Sequence, residues 1–272
     1  MNQPNKMTFP LFRVDAFTDR PFAGNPAAVC FLPAWKEAQW LQAVASELNL
    51  PETAFLVPAA DCFDLRWFTP RVEVDLCGHA TLASAHVLWQ ERQATGDQIL
   101  FSTRSGTLKA VRRGDSIELD FPVTPEEAAE APPGLLEALG VSARYVGKSQ
   151  FDYLVEVESE AALRGIAPDL RRLATVPVRG SIVTSRSADP RFDFVSRFFA
   201  PRAGIDEDPV TGSAHCCLVD FWRKRLGKTE FVAFQASARG GVVRVRVVQD
   251  RALLCGSAIT VARGELLVGG TE

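Results

Sequence analysis

The chain has no Cys-x-x-Cys pair, no apolar run of transmembrane length and no excess of basic residues. It also has no Gly-x-Gly-x-x-Gly, Walker or Gly-x-Ser-x-Gly sequence. Each absence removes a class. Without a spanning run, no membrane partner is expected. A net charge of −3 from 30 basic and 33 acidic residues leaves no electrostatic footprint for nucleic acid. The missing glycine and serine motifs leave nucleotide cofactors and a hydrolase elbow without support. Histidine is scarce, at positions 79, 86 and 215. His79 and His86 stand two helical turns apart, roughly 10 Å along the axis, too far to chelate one ion together. No metal and no cofactor are expected. The six cysteines read as small core residues of a reducing compartment. The polar stretch from Met1 to Pro10 lacks the apolar core of a signal peptide, so the expected address is the cytoplasm.

What is present is a repeat. Residues 63–71 read Phe-Asp-Leu-Arg-Trp-Phe-Thr-Pro-Arg, and residues 194–202 read Phe-Val-Ser-Arg-Phe-Phe-Ala-Pro-Arg, 131 positions later. Further on, Gly78-His79 and Gly212-Ser213 each open an apolar helix, and Gly106 and Gly240 sit in hairpin-like stretches; both spacings are 134. A three-residue insertion between Pro201 and Gly212 accounts for the change. With hydrophobic residues at 47% and a length of 272, the chain suits two domains of about 130 residues each. The expected domains are 1–121 and 122–272, with the C-terminal residues free to pack back on the first, and the break in the Pro/Ala/Glu-rich stretch from Pro122 to Pro133. Expected elements of the first copy are strands at Phe12–Phe17, Ala28–Leu32 and Thr53–Val57. A helix follows Trp35 and carries Trp40, Leu41, Val44 and Leu48. The two glycine-initiated helices run over 78–92 and 212–225, with hairpin strands over 99–121 and 231–262.

The starts of those helices are the most informative places. A helix N-terminus presents unpaired N–H groups and about half a positive charge, and two such ends facing one cleft would hold a carboxylate. Gly78 and Gly212 equally suit tight strand-to-helix turns. Polar residues gather around both starts: Asp75 before the first, Asp206, Glu207 and Asp208 before the second. His79 and Ser213 occupy equivalent positions. At the positive end of a helix His79 is expected to be neutral.

Four segments carry a family resemblance: residues 14–29 (Val-Asp-Ala-Phe-Thr-Asp-Arg-Pro-Phe-Ala-Gly-Asn-Pro-Ala-Ala-Val), 52–56 (Glu-Thr-Ala-Phe-Leu), 77–83 (Cys-Gly-His-Ala-Thr-Leu-Ala) and 207–215 (Glu-Asp-Pro-Val-Thr-Gly-Ser-Ala-His). In this order they resemble the PhzF-like isomerases of phenazine biosynthesis. The resemblance implies an α/β (α+β) fold of the diaminopimelate-epimerase type: two pseudo-symmetric domains, each a barrel-like, mostly antiparallel sheet around a central helix. It implies a homodimer and a cofactor-independent isomerase that moves a proton between carbons of a small carboxylate substrate. Glu52 matches the family's general acid/base. His79 and Asp208 match residues that orient the substrate and help shuttle the proton. Gly78, Gly212 and Ser213 match substrate-holding positions. One departure is Pro51, where the family often has serine; proline offers neither N–H nor hydroxyl. That weakens the inference to the family's best-known substrate, a dihydro-hydroxyanthranilate.

At the repeat spacing of 131 the counterpart of Glu52 is Val183, so the second copy offers no matching acid. A single acid suits one-base isomerisation rather than two-base racemisation. Racemases of this general fold use two cysteines just before the two helices; here Cys77 fills the first place and Thr211 the second. Two other classes stay open: an epimerase or dehydratase using Cys77 as base, activated by its helix N-terminus, and a non-catalytic binding protein.

Overall fold

A computed structural model of the chain describes residues 7–268. The first six residues, on which most of the signal-peptide reading rests, lie outside the described range. The chain divides into two compact units. One comprises the residues up to Phe22, Pro26–Ile117 and those from Ser257 on; the other comprises Ala23–Asn25 and Glu118–Gly256.

The first unit carries β1 (Met7–Ala16), β2 (Asn25–Phe31), α1 (Ala38–Leu48), β3 (Glu52–Pro58), β4 (Phe63–Phe68), β5 (Glu73–Val74), α2 (Gly78–Gln90), β6 (Gln98–Thr103), β7 (Gly106–Arg113) and the start of β8 (Ser116–Pro122). The second carries β9 (Glu127–Ala128), α3 (Leu135–Leu139), β10 (Tyr145–Lys148), β11 (Asp152–Glu156), α4 (Glu160–Arg164), α5 (Leu170–Leu173), β12 (Gly180–Arg186), β13 (Phe194–Phe199), α6 (Gly212–Leu226), β14 (Glu230–Gln235), β15 (Gly241–Val248) and β16 (Arg251–Gly256). The chain then returns to the first unit as β17 (Ala258–Val268), which runs antiparallel to β1 from Met7↔Val268 to Ala16↔Ala258. That pairing is why the C-terminal residues belong to the first unit; the chain crosses to the second between Ile117 and Glu118. The last strand completes the sheet in which the first strand lies.

The repeat reappears as one pairing pattern. In the first unit β2–β3 is parallel, β3–β4 antiparallel, β4–β6 parallel and β6–β7 antiparallel. In the second, β11–β12 is parallel, β12–β13 antiparallel, β13–β14 parallel and β14–β15 antiparallel. The parallel neighbours enclose helical crossovers, as parallel pairing requires. Within each unit the glycine-initiated helix is buried nearly all round, from His79 to Ala85 in α2 and from Ala214 to Trp222 in α6. A helix apolar on every side belongs inside a core. In the first unit α2 packs against β1, β3, β7 and β17.

Strand register corrects the count of repeat positions. Thr53 faces Phe68, and Ser181 faces Phe199. Ala27 pairs with Glu52, and Asp152 pairs with Gly180. The counterpart of Glu52 is therefore Gly180, not Val183. The β12–β13 hairpin spans 187–193, where the β3–β4 hairpin spans 59–62, and the extra residues shift the spacing. No helix among the described residues is long and apolar enough to cross a membrane.

Candidate active site

Glu52 is delivered to its place by the end of α1. Asn49 takes a left-handed conformation (φ 47°) and donates its N–H to the Ala45 carbonyl at 3.1 Å, which stops the helix. Pro51 fixes the turn, and Glu52 opens β3 beside Ala27 of β2. Being first in a central strand, it is buried, with 8% of its surface exposed.

Cys77, extended at φ −145°, caps α2, so His79 stands in the first helical turn. Thr81 secures that turn. Its hydroxyl and its N–H both donate to the Cys77 carbonyl, at 2.5 and 3.2 Å. His79 is 4% exposed, and its ring lies between two partners. Nε2 is 3.0 Å from Glu52 Oε2, and Nδ1 is 3.6 Å from Cys77 Sγ. Burial by itself would depress the imidazole; the facing thiol and the Glu52 carboxylate raise it, and they prevail, so its value stands well above 6.5. The neutral His79 expected from the helix end is thus corrected: a carboxylate at 3.0 Å outweighs the partial charge of a helix terminus. Burial, together with Glu52, pushes the Cys77 thiol up, so it is held as a thiol. A helix terminus does not make it a thiolate here.

The donor atoms of Glu52, Cys77 and His79 lie within 4.8 Å of one another, close enough on distance alone for a metal ion. The imidazole, however, turns a different nitrogen to each neighbour. One ion bound through a single nitrogen would have to break that chain. The arrangement is a chain of close contacts, Glu52–His79–Cys77, with the imidazole set between a carboxylate and a thiol. Gly78 opens α2 between the cap and the histidine.

The other expected site residues lie in the second unit. Gly212 is the buried first residue of α6, and Ser213 follows it. Asp208 is buried and fastened at several points. Oδ1 accepts from Asn25 Nδ2 at 2.8 Å, and Oδ2 accepts from the Thr211 hydroxyl at 2.6 Å. Gln235 locks the same segment: its Nε2 donates to the Asp208 carbonyl at 2.7 Å, and its Oε1 accepts from Thr211 N–H at 2.8 Å. This network fixes the chain entering α6. Ser213 Oγ accepts from Arg179 Nη2 at 3.1 Å. The structure therefore groups Glu52, Gly78 and His79 around the start of α2, and Asp208, Gly212 and Ser213 around the start of α6. Asn25 and Thr211 lie inside segments quoted for the family resemblance, so their presence was legible. Nothing in sequence singles out Gln235 or Arg179.

Residues 14–264 match the family model described as phenazine biosynthesis-like protein, PhzC-PhzF. An uncharacterized isomerase of Halalkalibacterium halodurans is 52% identical over 264 residues, covering 96% of this chain and all of the relative. One from Pseudomonas aeruginosa is 50% identical over 260 residues, covering 96% of this chain and 99% of the relative. The crystal structure of a PhzF-family phenazine biosynthesis protein from Enterococcus faecalis superposes with a TM-score of 0.92 at 39% identity, covering 96% of this chain and all of that one.

Proposed function

The chain belongs to the PhzC-PhzF family of phenazine biosynthesis-like proteins and is an isomerase, and on that premise we propose that it moves a proton between two carbons of a small carboxylic acid with Glu52 as the single acid/base. The observation that carries this reading is the buried Glu52–His79 pair at 3.0 Å, with Gly180 standing at the matching strand position of the second unit.

The proton bookkeeping is short. The Glu52 carboxylate takes a proton from an acidic C–H of the substrate, leaving a delocalised carbanion. The His79 imidazolium, 3.0 Å from Glu52, orients the carboxylate until the proton is taken, then steadies the acid that forms. Glu52 returns the proton to a different carbon. Burial of the pair slows exchange of that proton with solvent between the two events but does not prevent it, so label accumulates over repeated turnovers. The raised Cys77 thiol weighs against the thiol-base reading, because a thiol that stays protonated is a poor base.

The test is exchange of solvent deuterium into a panel of small unsaturated carboxylic acids, followed by proton NMR. Wild-type protein is expected to label at least one of them. Glu52→Gln, which preserves shape and one hydrogen bond, is expected to bind the same acid and label it at least about a thousandfold more slowly. Labelling by Glu52→Gln at the wild-type rate would remove Glu52 from the chemistry. Loss of labelling in wild type on treatment with iodoacetamide, with protection by the same acid, would move the base to Cys77.

A further inference from the structure

In the first unit the residue that opens β3, Glu52, reaches His79, the second residue of α2. In the second unit the matching positions are Gly180 and Ser213, and glycine has nothing to reach with. The reach is made by the residue before it. Arg179 precedes β12, and its Nη2 donates to Ser213 Oγ at 3.1 Å. Matching corners of a duplicated scaffold thus carry opposite chemistry, a carboxylate in one and a guanidinium in the other.

Stabilising α6 does not account for Arg179. A cation beside the first turn opposes the positive end of the helix dipole. Nor is a buried ion pair a source of stability in itself, since stripping water from both charges offsets most of their attraction. What the surroundings do is immobilise the guanidinium. Its Nε donates to Asp152 Oδ1 at 2.9 Å and its Nη2 to Asp152 Oδ2, and Asp152 is almost wholly buried. The rings of Phe151 and Phe198 lie 5.1 and 5.6 Å from its centre. Gly180 serves this packing, for a Cβ there would sit 2.3 Å from Phe198 Cζ. These contacts use the Nε and Nη2 side of the fork. Nη1 has no protein partner among the described residues, and the side chain is 39% exposed. An Arg held rigid on one edge, with N–H groups open on the other, is organised in advance for an oxyanion.

We propose that Arg179, with Ser213 beside it, is a carboxylate-selecting group of the second unit. This rests on reading the ligand class as a small carboxylic acid, but its test needs no turnover. Benzoate and its neutral isostere benzamide are titrated into the full-length protein by calorimetry. Wild type is expected to bind benzoate at least about tenfold more tightly than benzamide. Replacing the ion pair by the neutral pair Arg179→Gln with Asp152→Asn is expected to abolish that preference, and Glu52→Gln is expected to keep it. If the neutral pair does not fold, Arg179→Lys is read instead; it keeps the charge opposite Asp152 but loses the fork, and benzoate affinity is expected to fall by about tenfold. Absence of a preference in wild type, or an unchanged benzoate affinity in the folded variant, overturns the proposal. Retained deuterium labelling in Glu52→Gln alongside a lost benzoate preference in the Arg179 variant would sink the acid/base assignment alone.

Discussion

The Arg197 guanidinium closes on the Glu207 carboxylate through two hydrogen bonds, Nε to Oε1 at 2.7 Å and Nη2 to Oε2 at 2.8 Å. The first unit has the same clamp between Arg66 and Glu73, at 2.6 and 2.8 Å. Each Arg lies over the Phe two residues on, Arg66 over Phe68 at 5.2 Å and Arg197 over Phe199 at 4.8 Å. Both clamps tie β4 or β13 to the segment that leads into the glycine-initiated helix, so they set where that helix begins.

Arg197 does more than pair. Its Nη1 also donates to the Leu163 and Ile166 carbonyls, at 3.3 and 2.7 Å. Arg197→Lys keeps the charge but cannot serve four acceptors. It is expected to cost about 2–4 kcal/mol in urea unfolding, as for a broken, mostly buried network. Arg191→Lys, at an exposed pair with Asp189, is expected to leave the unfolding midpoint unchanged. Equal costs would mean that the clamp has no structural weight.

Gly180 is packed beneath Phe198, and a methyl group there must displace the ring. Gly180→Ala is expected to destabilise by about 1–3 kcal/mol, the usual range for overpacking a core. Adding Phe198→Leu, which clears the space, should recover part of that loss in the double variant. A Gly180→Ala protein as stable as wild type would show that the ring moves freely.

Much of this arrangement is legible in the sequence. The Arg-aromatic-Phe-small-Pro-Arg repeat marks β4 and β13, and the matched glycines mark the starts of α2 and α6. What failed was the assumption of one fixed spacing. Insertions in hairpins leave no mark on a motif, so only the Thr53↔Phe68 and Ser181↔Phe199 registers expose Gly180 as the partner of Glu52. The charge on His79 is hidden from the sequence for a related reason. Sequence shows the helix end beside it but not the carboxylate of a strand 27 positions earlier. Arg179 and Asp152 were invisible because they meet only through the parallel pairing of β11 with β12.

His215 makes the fold sensitive to acid. It is fully buried in α6, its Nδ1–H donates to the Thr211 carbonyl at 2.8 Å, and its Nε2 has no partner among the described residues. Burial pulls its value down to about 4 from 6.5. Between those two values the unfolded chain binds a proton that the folded chain does not, so stability is complete above about 6.5 and is lost as pH falls towards 4. The full effect is on the order of 3 kcal/mol. His215→Asn keeps a donor near the Thr211 carbonyl but cannot titrate. Urea unfolding should show wild-type stability falling from about pH 7 to about pH 5 more steeply than that of His215→Asn. Parallel curves would remove His215 from the acid response.

His79 should set the upper pH limit of activity. With Glu52 and Cys77 facing it, the imidazole stays protonated well above the ordinary histidine value. A mechanism that needs the imidazolium beside Glu52 therefore loses activity at a higher pH than an ordinary histidine would set, when that proton is lost. His79→Gln keeps a donor in reach of Glu52 but carries no charge. Deuterium labelling by this variant is expected to be slower by about a hundredfold or more and to lose the alkaline limb altogether. Cys77→Ala deletes the third member of the chain of contacts without touching Glu52. It should label within about tenfold of wild type, because the thiol is not the base. A Cys77→Ala protein devoid of labelling, or a His79→Gln protein that keeps the wild-type limb, would mean that the proton does not travel through the Glu52–His79 pair.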